Sequence, residues 1–347
     1  MNQTLSLSQL GWRPYFQQQL TLEELEWLTP VRISSHHRSQ VQALSELGEL
    51  TLPLSAQGDA LAVGDWVLVD PQHRIRRRLS RQSLFQRRAP GSKLETQLIA
   101  ANIDTLFVVC SLNHDFNLNR IERFLALAHE ASVQPVVVLT KADLCSEVAA
   151  RLAQVRQLDP MLMVEAINAL EPEQLVRLSS WCGQGQSVAL LGSSGVGKST
   201  VINGLLQQPE QQTGAIREQD SKGRHTTTHR SLHLMSQGGL LMDTPGMREL
   251  QLSDCEQGVN DVFADLQSLA RDCRFSDCQH QQEPGCAVQA AIASGALPLR
   301  RLKSYQKLMR EQALNGATLA QKRAKDKALG KYYQRIQSAS RQQKKGY

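Results

Sequence analysis

The stretch GSSGVGKS, Gly192 to Ser199, meets every fixed position of the phosphate-binding pattern G-x-x-x-x-G-K-[ST]. Gly192, Gly195 and Gly197 let the backbone N–H groups of the loop, including those of Ser193, Ser194 and Val196, wrap a β-phosphate. Lys198 reaches the β- and γ-phosphates, Ser199 ligates Mg²⁺, and Thr200 continues into a helix whose N-terminal field favours an anion. About fifty residues later, DTPG (Asp243 to Gly246) ends an apolar strand, as a loop that senses a γ-phosphate should. Asp243 would hold Mg²⁺ through water, and the Gly246 N–H would approach the γ-phosphate.

TKAD, with Thr140, Lys141, Ala142 and Asp143, supplies a choice of base. The Asp143 carboxylate accepts from guanine N1–H and the exocyclic amine, whereas adenine presents an acceptor there and is repelled. Thr140 stands where such loops usually carry Asn, and its hydroxyl replaces only part of the amide's bonding. Lower affinity with the guanine preference kept is the expectation. Taken alone, TKAD also reads as an ordinary capped helix start after a strand.

A second cluster has metal-ligand character: Cys273, Cys278, His280 and Cys286 follow C-x4-C-x-H-x5-C. Three thiolates and one imidazole suit tetrahedral Zn²⁺, and four protein ligands leave no position for water, so the site would be structural. The other cysteines, Cys110, Cys145, Cys182 and Cys255, are scattered and read as inert thiols.

Elements of two kinds must position these groups. From 31 to 90 the pattern is short and strand-like (VRISS, VQALS, ELTLPLS, VGDWVLVD), which predicts a small barrel of OB-like form after a helical lead-in over 1–30. Over 95–252, apolar runs alternate with amphipathic helices: strands at 103–110, 134–140, 161–167 and 186–192, helices at 118–131, 145–157 and 171–181, then SLHLM and GLLMDTPG. This is a doubly wound α/β domain. From 253 to 347 strands stop, and the Cys/His cluster is followed by helical, Lys/Arg-rich sequence.

The order is the unusual feature: base reader, then phosphate loop, then DTPG, with no second reader afterwards. Cutting a nucleotide-binding sheet after the DTPG loop and joining its old ends through 171–182 produces this order with all contacts kept.

Charge points to a partner. The chain carries a net +6, but residues 298–347 hold fourteen Lys or Arg against two acids. A second run, RIRRRLSRQSLFQRR with Lys93 just after, has eight cations and no acid, and offers Arg74, Arg76, Arg78, Arg81, Arg87 and Arg88 to a phosphate backbone. RNA fits two such surfaces better than a membrane does. No run reaches the about 18 apolar residues of a membrane span, and MNQTLSLSQLGW lacks the marks of a signal peptide, so a cytoplasmic protein is expected.

Together the permuted order, GRHTTT (Gly223 to Thr228), DTPGMRE and the cysteine cluster resemble the circularly permuted ribosome-assembly GTPases known as RsgA or YjeQ, over nearly the whole chain. That resemblance implies an OB-fold domain, a permuted GTPase domain and a zinc domain. It also implies GTP hydrolysis with Mg²⁺, and a role late in maturation of the small (30S) subunit with its 16S rRNA. Where many GTPases place a Gln after the DTPG-like tetrad this chain has Met247, whose thioether cannot align water. His225 is the alternative on the loop expected to close over the γ-phosphate, and the resemblance points to the same residue. A role in packing that loop or touching RNA is the competing reading. One of Thr226, Thr227 and Thr228 would complete the Mg²⁺ shell. The segment VEAINA (164–169) lacks the Ser of a usual base-backing motif.

The reading is a GTPase, monomeric off the ribosome, stimulated by the small subunit and released after hydrolysis. Two rivals are a nucleotide-gated RNA-binding module with vestigial hydrolysis and a P-loop ATPase acting on single-stranded nucleic acid. Lys198, Ser199 and Asp243 weigh against the first, and Asp143 against the second.

Overall fold

The computed structural model describes residues 5–37, 39–54, 59–88, 96–113, 115–206, 231–243 and 255–316. His225, Thr226, Thr227, Thr228, Gly246, Met247, Lys93 and the basic tail from 317 onward lie outside them, as does the Arg88 side chain.

The lead-in contains two short helices, α1 (Pro14–Gln17) and α2 (Leu22–Trp27). Pro14 sits in the first turn, where a missing N–H costs nothing, and α2 opens on a reciprocal Thr21–Glu24 capping box. Five antiparallel strands follow: β1 (Thr29–His36), β2 (Gln40–Ser45), β3 (Gly48–Pro53), β4 (Trp66–Val69) and β5 (Ile75–Arg78), paired in the order β3-β2-β1-β4-β5. β1 belongs to both halves and shifts register between Ile33 and Ser35, a bulge that lets one strand bend around a small barrel. Val31, Ile33, Val41, Ala43, Leu52, Val67 and Val69 fill the inside. Trp66 and Leu68 point the other way, under Leu10 and Phe16 of the lead-in. β4 is therefore buried on both faces, which is why WVLV is apolar without alternation.

A hairpin, β6 (Leu84–Arg88) and β7 (Thr96–Ala101), forms its own two-stranded sheet. Phe85, Ile99 and Ala100 join the core of the following α/β layers, and the Leu84 N–H donates to Ala131 O. The last part of the stretch read as barrel thus packs against the next unit.

The α/β unit runs β8 (Thr105–Ser111), α3 (Leu118–Glu130), β9 (Gln134–Thr140), α4 (Val148–Arg156), β10 (Met163–Ala166), α5 (Pro172–Leu175), β11 (Ser187–Leu191), α6 (Lys198–Leu206), β12 (Ser231–Leu234) and β13 (Leu240–Asp243). Its strands lie in the order β10-β9-β8-β11-β13-β12, parallel except for β12 against β13. Read from β11 onward and closed through β8, the strands give one continuous nucleotide-binding sheet with no misplaced element. The stretch 171–181 differs from the single helix expected: α5 ends at Leu175 and a 3₁₀ turn runs over Val176–Trp181. Leu175 and Leu178 are both buried, and the tighter 3₁₀ turn sets residues three apart directly one above the other.

Four helices close the described chain, α7 (Glu256–Val262), α8 (Ala264–Arg271), α9 (Ala287–Ala293) and α10 (Leu299–Gly316). Val259, Phe263, Leu266, Val288 and Leu302 share one apolar cluster with Ile121, Leu125 and Ala126 of α3. These helices are docked on the α/β unit rather than built around a separate core.

The barrel joins the sheet where β1 pairs antiparallel with β12 at Ser35 and Ser231, and is tied to it again by Arg32, 1% exposed in β1. Its guanidinium donates to Leu10 O at 2.6 Å, Asn102 O at 2.9 Å and Ser187 Oγ at 2.9 Å, and lies over the Trp66 ring. Burial brings its pKa down to about 10, with Asp104 nearby acting in the opposite sense. One residue bonds the lead-in, the barrel and the first residue of β11, the strand that feeds the phosphate loop.

Candidate nucleotide site and metal cluster

At the C-terminal edge of the sheet, β11 runs into the loop 192–197 and α6 begins at Lys198. Gly192 is required by packing, since a Cβ there would lie 2.3 Å from Val109 O of β8. Lys198 is almost fully buried, and its ammonium donates to Gly192 O at 2.8 Å and to Ser193 O. Ser199 is exposed beside it at the start of α6. Parallel pairing of β11 with β13 sets Met242 opposite Ala189, so Asp243 comes level with the last turn of strand before the loop. Ser199 lies in the first turn of α6 and Asp243 ends β13, and a hydroxyl and a carboxylate are the hard oxygen ligands that a Mg²⁺ brought by a nucleotide would take.

The base reader arrives from the neighbouring strand. Thr140 ends β9 at 1% exposed, and its hydroxyl donates to Val196 O at 2.5 Å. Lys141 takes a left-handed conformation, φ 58°, which swings its ammonium back over the loop to donate to Gly195 O at 2.9 Å. A non-glycine residue held there is strained locally, and such strain is retained where surrounding contacts fix it. Asp143 follows in a short 3₁₀ turn, exposed at the rim. The segment 164–169 braces this loop through its backbone: Ile167 N–H donates to Leu139 O at 2.9 Å, and Ala142 N–H donates to Ile167 O at 3.2 Å. Thr140 and Lys141 thus bond Val196 and Gly195, which lie more than fifty residues later, and Lys198 bonds Gly192 and Ser193 of the same loop. Sequence reasoning missed a further member: Arg120 of α3 donates to Ser193 Oγ at 2.8 Å and pairs with Asp115. No motif surrounds Arg120, and only the fold brings it there.

In the metal cluster, the donor atoms of Cys273, Cys278, His280 and Cys286 all lie within 4.8 Å of one another. Cys273 Sγ is 3.8 Å from Cys286 Sγ, and His280 Nδ1 is 3.6 Å and 3.5 Å from those two sulfurs. A tetrahedron drawn with Zn–S of about 2.3 Å and Zn–N of about 2.0 Å has edges of about 3.8 and 3.5 Å. The donor set therefore fits zinc in both chemistry and spacing. His280 reaches its place through a left-handed backbone, φ 59°, and Gln289 Nε2 donates to its carbonyl at 2.5 Å. Burial drives the Cys278 thiol up to about 11, with the Cys286 and Cys273 thiols adding to it. Cys273 ends below its ordinary value: burial opposes ionisation there, but the Val288 and Ala287 N–H groups and the other two thiols outweigh it. Three crowded thiols resist full ionisation by themselves, and a divalent cation replaces their protons.

The basic run is not uniform. Arg74 is exposed, and Arg76 is paired with Asp70 at 2.7 Å yet more than half exposed. Arg78 lies 3.9 Å from Asp59, and Arg87 donates to Gln97 Oε1 at 2.9 Å. Arg81, counted with the surface cations from sequence, is instead held by the fully buried Asp65 at 2.6 and 2.7 Å and by Ala60 O. A carboxylate with no solvent access needs its counter-charge, and this takes Arg81 out of the outward-facing set.

The RsgA GTPase family model matches residues 78–253. The chain belongs to that family. The small ribosomal subunit biogenesis GTPase RsgA 2 of Vibrio parahaemolyticus is 56% identical over 98% of this chain and 95% of its own length. RsgA of Mesorhizobium japonicum is 50% identical over 89% of this chain and 91% of its own. YjeQ from Thermotoga maritima superposes with a TM-score of 0.63 at 25% identity, covering 82% of this chain and 98% of that one. YloQ, described as a circularly permuted GTPase, gives 0.58 at 20% identity over 82% and 94%, a likeness of fold. An RsgA-family chain is a GTP hydrolase on a permuted α/β fold, as the order of motifs predicts. Among the described residues no helix is long and apolar enough to cross a membrane.

Proposed function

We propose that this chain hydrolyses GTP on the small ribosomal subunit, late in that particle's maturation, and leaves once hydrolysis is complete. The observation that carries the reading is the bonding of a guanine-type base reader onto the phosphate loop, Thr140 to Val196 and Lys141 to Gly195, in a chain whose relatives bear that role in their names. Asp143 selects guanine at the rim, the N–H groups of Gly192 to Thr200 and the Lys198 ammonium hold the phosphates, and Gly246 N–H approaches the γ-phosphate. Mg²⁺ entering with GTP would be held by Ser199, Asp243 and one of Thr226 to Thr228, Thr227 being our choice, and would neutralise charge between the β- and γ-phosphates. His225 orients the attacking water when the subunit orders its loop. Zinc on Cys273, Cys278, His280 and Cys286 fixes the C-terminal fold.

The barrel and the C-terminal region, about 31–90 and 253–347 around a GTPase domain of 95–252, are the two RNA-facing parts. Arg74, Arg76, Arg78, Arg87 and Arg88 are our contacts for 16S rRNA, together with the basic tail. The protein acts in the cytoplasm and is monomeric off the particle. Co-sedimentation tests this. Small subunits should carry the chain down with a non-hydrolysable GTP analogue and less well with GDP, large subunits should not, and excess ATP should not compete. Equal recovery with both subunits, or displacement by ATP, would overturn the reading.

A further inference from the structure

Helix α3 touches two regions that the nucleotide chemistry does not itself connect. At its first turn, opened by Asn117 accepting from the Arg120 N–H, the Arg120 guanidinium donates to Ser193 Oγ at 2.8 Å and pairs with Asp115. The Ser193 carbonyl in turn accepts from Lys198 Nζ. A single loop residue therefore stands between Arg120 and the phosphate-binding lysine. Among the described residues Asp115 Oδ2 is buried without a hydrogen-bond partner, so the carboxylate relies on its pairing with Arg120 and helps fix where that guanidinium sits.

Two residues further on, Glu122 is fully buried and accepts from Arg300 Nη1 at 3.0 Å, Arg301 Nη1 at 2.8 Å and Ser304 Oγ at 2.5 Å, all from α10. Arg123 meets Glu311 of the same helix at 2.9 Å. One and two turns later α7 is held as closely: Gly258 N–H donates to Glu130 Oε2 at 2.9 Å, and a Cβ on Gly258 would stand 2.1 Å from Ala126 O. Backbones in such contact cannot slide past each other, and a buried, fully bonded carboxylate has one arrangement rather than many. Helices α3, α7 and α10 are thus held tightly to one another, and among the described residues Arg120 bonds that body to the phosphate loop.

We propose that Arg120 is a positioning residue for the phosphate loop, and that through α3 it makes nucleotide binding and the docking of the C-terminal helices one coupled event. The inference rests on GSSGVGKS being the nucleotide site. Phosphates arriving at Ser193 and Lys198 set the loop, the loop sets Arg120, and α3 carries the change to α10. By linkage, if nucleotide changes the affinity of the chain for a particle that engages α10, that particle changes nucleotide affinity by the same factor.

The test uses the full chain with its metal, as wild type, Arg120→Ala, Arg120→Lys, Ser193→Ala and the double variant Arg120→Ala with Ser193→Ala. Affinity for fluorescent GDP, kcat and KM for GTP, Tm, and hydrogen exchange of residues 299–316 with and without GDP are measured. GDP should change exchange in 299–316 of the wild type. Arg120→Ala should weaken GDP on the order of tenfold, raise KM more than it lowers kcat, lower Tm by about a few degrees through the loss of Asp115's partner with the fold kept, and lose the exchange response. Arg120→Lys should recover part of both losses, and the double variant should be no weaker than either single one. Wild-type GDP binding with no response in 299–316, a full response in Arg120→Ala, or additive losses in the double variant would each overturn the proposal while leaving the nucleotide site intact. Failure of the wild type to bind GDP at all would overturn both.

Discussion

Replacing Thr140 by Val keeps the volume of a side chain that is 1% exposed and removes one atom's function, the donation to Val196 O at 2.5 Å. A buried carbonyl left without its donor costs about 1–3 kcal/mol. That bond holds the loop in the form that receives phosphates; without it the loop has other states to leave on binding, and affinity falls by whatever fraction of the cost binding must restore. The ceiling is a loss of about 5- to 150-fold. Both GDP and GTP should lose equally, because Val196 lies in the loop and not against the base, and preference over ATP should persist because Asp143 is untouched. Thr140→Ser, which keeps the hydroxyl, should stay within about twofold of wild type on the same reasoning. Fluorescent-nucleotide titration, with a melting curve to show that the fold survives, measures all of this. If Thr140→Val bound GDP within twofold of wild type, or changed base preference, the tie between reader and loop would not be what Thr140 does.

Asp143→Asn places an amide donor against guanine N1–H and should lower GTP affinity by about 10²-fold or more while improving xanthosine triphosphate, whose C2 carbonyl accepts; competition binding reads this. Glu122→Ala leaves Arg301, 4% exposed, with Asp265 but without its buried partner, so it should lose about 3 kcal/mol, the lower end for a broken buried pair, in urea unfolding. A strong chelator should release one zinc per chain, expose Cys273, Cys278 and Cys286 to alkylation, and unfold the 273–286 segment first, seen as exchange confined to it. At pH 8 iodoacetamide should reach Cys145 and spare Cys182 and Cys255. Burial pushes both of those up to about 12, so at pH 8, below the raised value, only about one part in 10⁴ is thiolate, and labelling should appear only as pH rises towards 12.

The motifs proposed to form the nucleotide site were legible because their chemistry demands residue types at fixed spacing, and the fold bonds Thr140 and Lys141 of TKAD to the loop that carries Gly192 and Lys198. The permuted order was legible for the same reason, and QPVVVLT is β9 to the residue. Ionic partners were not legible. Arg81 has the same letter as Arg74, and only the fold places a fully buried Asp65 beside one of them. Arg32 reads as an unremarked cation in VRISS and proves to be the bolt between barrel and sheet. Strand β6 falls within the 31–90 barrel stretch by sequence because Phe85 alternates with polar neighbours as any half-buried strand does, and periodicity does not say which core an apolar face will join. That the Thr140 hydroxyl keeps only part of an Asn amide's bonding is readable from its letter, whereas its partner, Val196 O of the phosphate loop, comes only from the fold.

The central claim is that this GTPase is completed by the small ribosomal particle. GTP turnover of the full chain should be slow alone, rise at least tenfold with purified small subunits, remain unchanged with large subunits, and lose that rise in His225→Ala while GTP binding persists. Equal turnover with and without small subunits, or stimulation by both particles alike, would contradict it.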